Sequence, residues 1–100
     1  ADQILVRITQ ASSAGEALAA DKGINLPDSK LSLAALTSKD LEDLAFVAAN
    51  ADIVELSFAN SPEDVFRLRR QLQRAGDRQP AIVLKIETRR GFENLPSMLI

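Results

Sequence analysis

From Thr37 onward the apolar residues change their spacing repeatedly, and that alternation restricts the fold more than any other feature of the chain. Leu41, Leu44, Ala45 and Ala48 recur at the three- and four-residue intervals of an amphipathic helix. Thr37 and Asp40 place a hydroxyl and an acid three residues later, as a capping box requires, so a helix is predicted over about 38 to 50. Ile53, Val54, Leu56 and Phe58 then form a short strand-like run between Asp52 and Phe58. Ser61-Pro62-Glu63-Asp64 is a second helix start, with a cap, a proline at the first helical position and acids in the first turn. Val65, Leu68, Leu72 and Ala75 supply its apolar stripe, and Gly76 is expected to end it. Ala81 to Ile86 is apolar enough for a buried strand. Gly91 to Ile100 reads as a last short helix that contains Pro96. Helix, strand, helix, strand, helix with short connections means an α/β layer with parallel strands and right-handed crossovers. Two strands alone leave both sheet edges open and bury little core, so the sequence reads as a segment of a larger α/β domain.

Before Thr37 the signals are weaker. Ile4, Val6 and Ile8 alternate with other residues, which predicts a short strand with one apolar face. Residues 10–23, rich in Ala, Ser and Gly, are expected to be irregular. Gly23, Pro27, Asp28 and Ser29 mark loop and turn, and Leu31 and Leu33 suggest a brief extended segment.

Composition removes whole chemistries. The 100 residues include no Cys and no His. Thiol nucleophiles, disulfides, imidazole bases and Cys- or His-ligated metals are therefore excluded. Any bound metal would be a hard ion held by oxygens, Mg²⁺ or Mn²⁺ above all. With no Trp or Tyr, four Phe and a net charge of −2, neither a base-stacking surface nor a nucleic-acid footprint is expected. No apolar run approaches the roughly 20 residues of a membrane span, and no charged segment precedes an apolar core as in a secretory signal. The cytoplasm is the expected compartment.

Lys85-Ile86-Glu87 is the sharpest candidate for chemistry. It lies at the carboxyl end of the predicted inner strand, where α/β barrels and doubly wound sheets gather functional groups. A period of two puts Lys85 and Glu87 on one face, where a cation and a carboxylate together suit an anionic substrate and a divalent ion. Spacing alone favours an ordinary ion pair at a strand end. Ser57-Phe58 ends the preceding strand at the same rim; by itself it is also a plain loop serine. Lys22-Gly23-Ile24-Asn25-Leu26-Pro27 taken alone is a turn with a solvated lysine. Arg67, Arg69, Arg70 and Arg74 fit the solvent face of an amphipathic helix. Arg89 and Arg90, directly after the site strand, are open between substrate-facing and solvated.

Taken in order, these segments resemble the pyruvate kinase family. Lys22 to Pro27 is similar to that family's K-G-V-N-L-P-G, and Leu33 to Asp40 to its L-P-A-L-T-E-K-D. Leu41-Glu42-Asp43-Leu44 is similar to I-E-D-L. Asp52 to Phe58 resembles the fourth barrel strand, which ends in S-F, and Ser61 to Val65 the helix start that follows. Ile82 to Thr88 resembles the fifth strand, usually I-I-S-K-I-E-N. The resemblance covers about residues 13–100.

The resemblance implies a (β/α)8 TIM barrel with a β-rich lid domain inserted after the third strand. Residues 1–30 would be the end of the lid and its return linker. Residues 31–100 would run from the third helix to the fifth. The implied activity is phosphoryl transfer from phosphoenolpyruvate to ADP, giving pyruvate and ATP. Carried over residue by residue, Lys85 would be the catalytic lysine and a substrate contact, and Glu87 a ligand of Mg²⁺ or Mn²⁺. Ser57 and Phe58 would lie at the substrate pocket and Lys22 near the nucleotide phosphates. The family's K⁺ site and further metal ligand would lie outside these residues. The implied partners are these small molecules and other copies in a homo-oligomer, with no nucleic acid and no membrane. Phosphoryl transfer asks mainly for positioning and charge stabilisation, so it needs neither His nor Cys.

The sequence departs from the pattern at Asn60, usually Arg, at Leu84, usually Ser, and at Thr88, usually Asn. It departs also at Asp28, usually Gly, and at Glu55, usually small or apolar. Two other readings stay open: a Mg²⁺-dependent lyase or aldolase of the phosphoenolpyruvate/pyruvate barrels, and a non-catalytic homologue. The 100 residues alone are expected to be inactive and to pair with copies of themselves through the residue 1–30 arm.

Overall fold

The computed structural model describes residues 3, 5–17 and 19–99. Helix α1 spans Ser38–Asn50, strand β1 Ile53–Leu56, helix α2 Pro62–Ala75, strand β2 Ala81–Leu84 and helix α3 Arg89–Met98. The order is the one expected from the alternation of apolar spacing. The two strands pair in parallel, with Ile53 opposite Ala81 and Leu56 opposite Leu84. A parallel pair needs a long crossover, and α2 supplies it.

Local chemistry explains where each helix starts and stops. Thr37 caps α1: the Asp40 carboxylate accepts from the Thr37 N–H at 2.7 Å, and the Asp40 N–H donates to the Thr37 hydroxyl at 3.2 Å. Asp64 does the same work at the start of α2, accepting from the N–H groups of Ser61 and Asn60 at 2.9 and 3.0 Å. Gly76 closes α2 with its N–H on the Leu72 carbonyl, in an extended rather than a left-handed conformation. Helix α3 begins two residues earlier than apolar spacing suggested, because the Thr88 hydroxyl accepts from the Gly91 N–H at 3.0 Å and makes Thr88 the cap. Pro96 sits inside α3, where it removes one helical N–H.

The helices cover one face of the sheet. Leu44 and Ala48 of α1, Val65, Leu68 and Leu72 of α2, Leu56 of β1 and Met98 of α3 form the core with Leu36 and Ala59. Val54, Ile82, Leu84 and Ile86 pack against it from the sheet side. Period two sends Ile53, Glu55, Ala81 and Val83 to the opposite face, and all four are exposed. That face is mixed, with two branched apolar residues and a carboxylate.

The strand expected around Ile4, Val6 and Ile8 is not formed. Ile4 lies outside the described residues, and Leu5 to Gln10 are exposed and without regular structure. Alternation specifies a strand only where a neighbour completes its hydrogen bonds, and none does among the described residues. The extended segment at Leu31 and Leu33 likewise pairs with no strand among the described residues, although Leu36 just beyond it is buried. The stretch from 10 to 23 is irregular among the described residues, as expected. Ile100, the expected end of the last helix, lies outside them.

Two tests follow from this packing. A Cβ on Gly91 would stand 2.4 Å from the Ala59 carbonyl oxygen, which is backbone and cannot rotate away. Gly91→Ala should therefore lower stability by about 1–3 kcal/mol in denaturant titration, and an unchanged midpoint would contradict this packing. The second concerns Asp40, whose carboxyl is held below its ordinary value by the Thr37 backbone N–H above all and by the Thr37 hydroxyl next. A depressed folded value means stability that is present above the unfolded value and lost as pH falls through the folded one. The helical circular dichroism of the native chain should exceed that of Asp40→Asn above about pH 4 and converge with it in stronger acid.

Candidate active site

Pairing of β1 with β2 brings the carboxyl ends of both strands to one rim. The ladder continues one step past the strands: the Lys85 N–H donates to the Leu56 carbonyl at 2.9 Å, and the Ala59 N–H to the Lys85 carbonyl at 3.3 Å. Ile86 turns toward the core, so Lys85 and Glu87 share the face away from the helices. The Lys85 ammonium lies 3.4 Å from Glu87 Oε1, with side chains 41% and 27% exposed. The pair is half in solvent, and its Coulomb attraction is correspondingly weak.

The other oxygen of Glu87 is fixed from the neighbouring strand. Glu87 Oε2 accepts from the Phe58 N–H at 3.1 Å. Phe58 has φ +52, a left-handed conformation that a side chain of this size rarely adopts. The strained turn aims its amide at the carboxylate, while the residue as a whole is 42% exposed. A carboxylate with one oxygen oriented by an amide and the other beside a cation has the donor chemistry of one ligand of a hard divalent ion. Among the described residues no cluster of three metal-ligating side chains exists, so Glu87 would be one ligand of several.

A second segment is fastened to the rim from far away in sequence. Asn25 Nδ2 donates to the Glu87 carbonyl at 2.8 Å, and the Arg89 N–H to the Pro27 carbonyl at 3.0 Å. Arg89 Nε donates to Asp28 Oδ1 at 2.7 Å. Arg89 is thereby drawn toward Asp28. Lys22 lies on the same segment, three residues before Asn25, and is exposed. Among the described residues it makes no hydrogen bond or ion pair with Lys85 or Glu87. Ser57 is at the rim, exposed, and also makes no bond to the pair. Phe58, Lys85 and Glu87 are thus brought together directly, Ser57 by adjacency and Lys22 only through its segment. Surface hollows among the described residues lie along α2, between α2 and β2, and beside α1, the last of them lined in part by Ser57.

The family described as pyruvate kinase, barrel domain, matches residues 2–100. The chain belongs to the pyruvate kinase family. It is 35% identical over 79 residues to a pyruvate kinase of Staphylococcus saprophyticus, covering 78% of this chain and 14% of that protein. It is 38% identical over 81 residues to a pyruvate kinase of Mycobacterium intracellulare, covering 80% and 17%. To a pyruvate kinase of Clostridium acetobutylicum it is 37% identical over 79 residues, covering 78% and 17%. The chain therefore spans about a seventh to a sixth of the length of the curated relatives it matches.

Four of the polar residues that build the rim escaped motif reading as site residues: Asn25, Asp28, Asn60 and Thr88. Three of them, Asp28, Asn60 and Thr88, are departures from the pyruvate kinase pattern, and that was the available signal. Asn94, which donates to the Asn60 carbonyl at 2.8 Å, carries no such mark. The fastening of the Asn25–Asp28 segment gives a test. An exposed ion pair contributes about 0.2–1 kcal/mol, so Asp28→Ala should speed tryptic cleavage after Lys22 and Lys30 by up to about fivefold. Unaltered cleavage would mean that the Arg89–Asp28 bond does not hold the segment.

Proposed function

We propose that the chain works within a pyruvate kinase that transfers the phosphoryl group of phosphoenolpyruvate to ADP, giving pyruvate and ATP. One observation carries the reading: Lys85 and Glu87 stand side by side at the carboxyl ends of paired parallel strands, on the face away from the helices. In the proposed (β/α)8 TIM barrel that face lines the lumen, where such enzymes keep their sites. Residues 31–100 would run from its third helix to its fifth, and residues 1–30 would be the end of the lid and its return.

The chemistry follows from charge. The P–O bond to the enol oxygen breaks, the phosphorus joins a terminal oxygen of ADP, and the enolate left behind takes a proton at carbon to become pyruvate. Negative charge concentrates on the moving phosphoryl group and on the enolate oxygen. The Lys85 ammonium, fixed by the strand beneath it, stabilises both without reorganising. Glu87 would hold Mg²⁺ or Mn²⁺, which supplies Lewis-acid neutralisation of phosphate charge when bound. The Phe58 ring would wall the substrate side with Ser57 beside it. Lys22, on the segment that Asn25 fastens to the Glu87 carbonyl, would reach the nucleotide phosphates. A K⁺ ion held outside these residues, a homo-oligomeric state and a cytoplasmic location complete the proposal. The 100 residues by themselves would be inactive, because one lysine and one carboxylate do not close a site.

The test is pyruvate formation from phosphoenolpyruvate and ADP by the full-length protein with Mg²⁺. Removing one preorganised electrostatic group costs roughly 10²–10³ in rate, so Lys85→Met should lose at least that much turnover. No turnover by the wild type under varied metal and nucleotide, with phosphoenolpyruvate still bound, would point instead to a non-catalytic homologue.

A further inference from the structure

Asn60 is a polar hub between the two strand ends. Its N–H donates to Asp64 Oδ2 at 3.0 Å and its Nδ2 to the Phe58 carbonyl at 2.8 Å. Its carbonyl accepts from Asn94 Nδ2 at 2.8 Å, and its Oδ1 accepts from the Thr88 hydroxyl. Thr88 is equally committed. Its oxygen accepts from the Gly91 N–H, which leaves its single proton for Asn60. The Phe58 carbonyl can only accept, and that fixes the Asn60 amide: Nδ2 faces Phe58, so Oδ1 faces the Thr88 hydroxyl. Turning the amide over would set two acceptors, Asn60 Oδ1 and the Phe58 carbonyl, against each other and lose that bond.

The hub closes a ring around the site. Thr88 follows Glu87 in the chain, Asn60 holds the carbonyl of Phe58, and the Phe58 N–H holds Glu87 Oε2. Phe58 keeps a left-handed φ of +52, which persists only where its surroundings over-determine it. The Asn60 amide is one such constraint. Sheet pairing does not need the ring, because the backbone bonds from Lys85 to Leu56 and from Ala59 to Lys85 already join the strands. Both residues depart from the family's usual pattern, and in the structure the two departures touch.

We propose that Asn60 and Thr88 are a positioning pair that, through Phe58, orients the Glu87 carboxylate for a divalent cation. The pair reaches neither the cation nor the substrate. It sets which Glu87 oxygen is occupied by an amide and which is left to a ligand. The inference rests on the reading of Glu87 as a cation ligand.

The test is Mn²⁺ binding by the full-length protein, read by the electron paramagnetic resonance of free Mn²⁺ at a temperature where every variant is folded. Asn60→Ala leaves the Thr88 cap of α3 and the backbone bonds of residue 60 intact while removing the amide that joins Phe58 to Thr88. It should weaken Mn²⁺ binding by about tenfold, as loss of a group that orients a ligand does. Thr88→Val should weaken it similarly, the two losses should not add in the double variant, and Thr88→Ser should restore wild-type affinity. A purely structural role would lower the melting temperature and leave the affinity unchanged. Wild-type affinity in Asn60→Ala, with binding weakened in Glu87→Gln, would overturn the positioning pair alone. Wild-type affinity in Glu87→Gln would overturn it together with the reading of Glu87.

Discussion

The register of two short parallel strands governs everything at the rim. Leu56 stands opposite Leu84, so the next residues of one strand meet the next of the other: the Lys85 N–H finds the Leu56 carbonyl, and the Lys85 carbonyl finds the Ala59 N–H. A slip of one residue would exchange the faces, turning Lys85 and Glu87 into the helices and Ile86 out to solvent. The register is held by burial on one side only. Leu56, Ile82, Leu84 and Ile86 pack with Leu68, Leu72 and Leu44, and a charged residue in any of those places would be desolvated without a partner. The site is therefore specified by the core behind it, before any of its own interactions form.

Much of the fold was legible because its signals are local. The caps at Thr37 and Ser61, the stripe on α2 and the apolar run of β2 each lie within a few residues of the boundary they fix. Where the expectation failed, the missing information was not local. Alternation around Val6 and Ile8 describes a strand only if a neighbour completes it. The early start of α3 is the exception: its signal, the Thr88 hydroxyl on the Gly91 N–H three residues on, is local but carries no apolar spacing. The site divides in the same way. Lys85 and Glu87 were readable from a period of two at a strand end. The bonds that orient them were not, since Phe58 reaches Glu87 across 29 positions, Asn25 across 62 and Arg89 reaches Asp28 across 61.

One of the cations near the rim is committed to a carboxylate. Arg89 was open between facing substrate and facing solvent, and the structure engages it with Asp28, a residue that stands where the family usually has glycine. Asn60 stands where the family usually has arginine, and its amide is spent on backbone and on Thr88. Both departures move positive charge away from the Lys85–Glu87 pair. Lys85 then carries more of the electrostatic work in the proposed reaction than it would beside a second free guanidinium, since at short range each cation lowers the cost of accumulating phosphate charge.

The open face of the sheet bears on the same reaction. Ile53, Glu55, Ala81 and Val83 face away from the helices, with Ile53 62% and Val83 45% exposed, and Lys85 and Glu87 follow them toward the carboxyl end. Branched apolar residues below and charged groups at the top are the layering of a barrel lumen, in which lower layers fill the interior and the top layer meets substrate. Glu55 breaks that layering. In the proposed barrel it would sit one layer beneath the site, opposite Val83 in the register. A carboxylate there must find a cation or a hydrogen-bond donor from another strand, because buried alone it would be neutralised or would destabilise the barrel. In the proposed barrel the lumen around this segment would have to be more polar than a layer of branched aliphatics, and the partner of Glu55 would have to come from another strand.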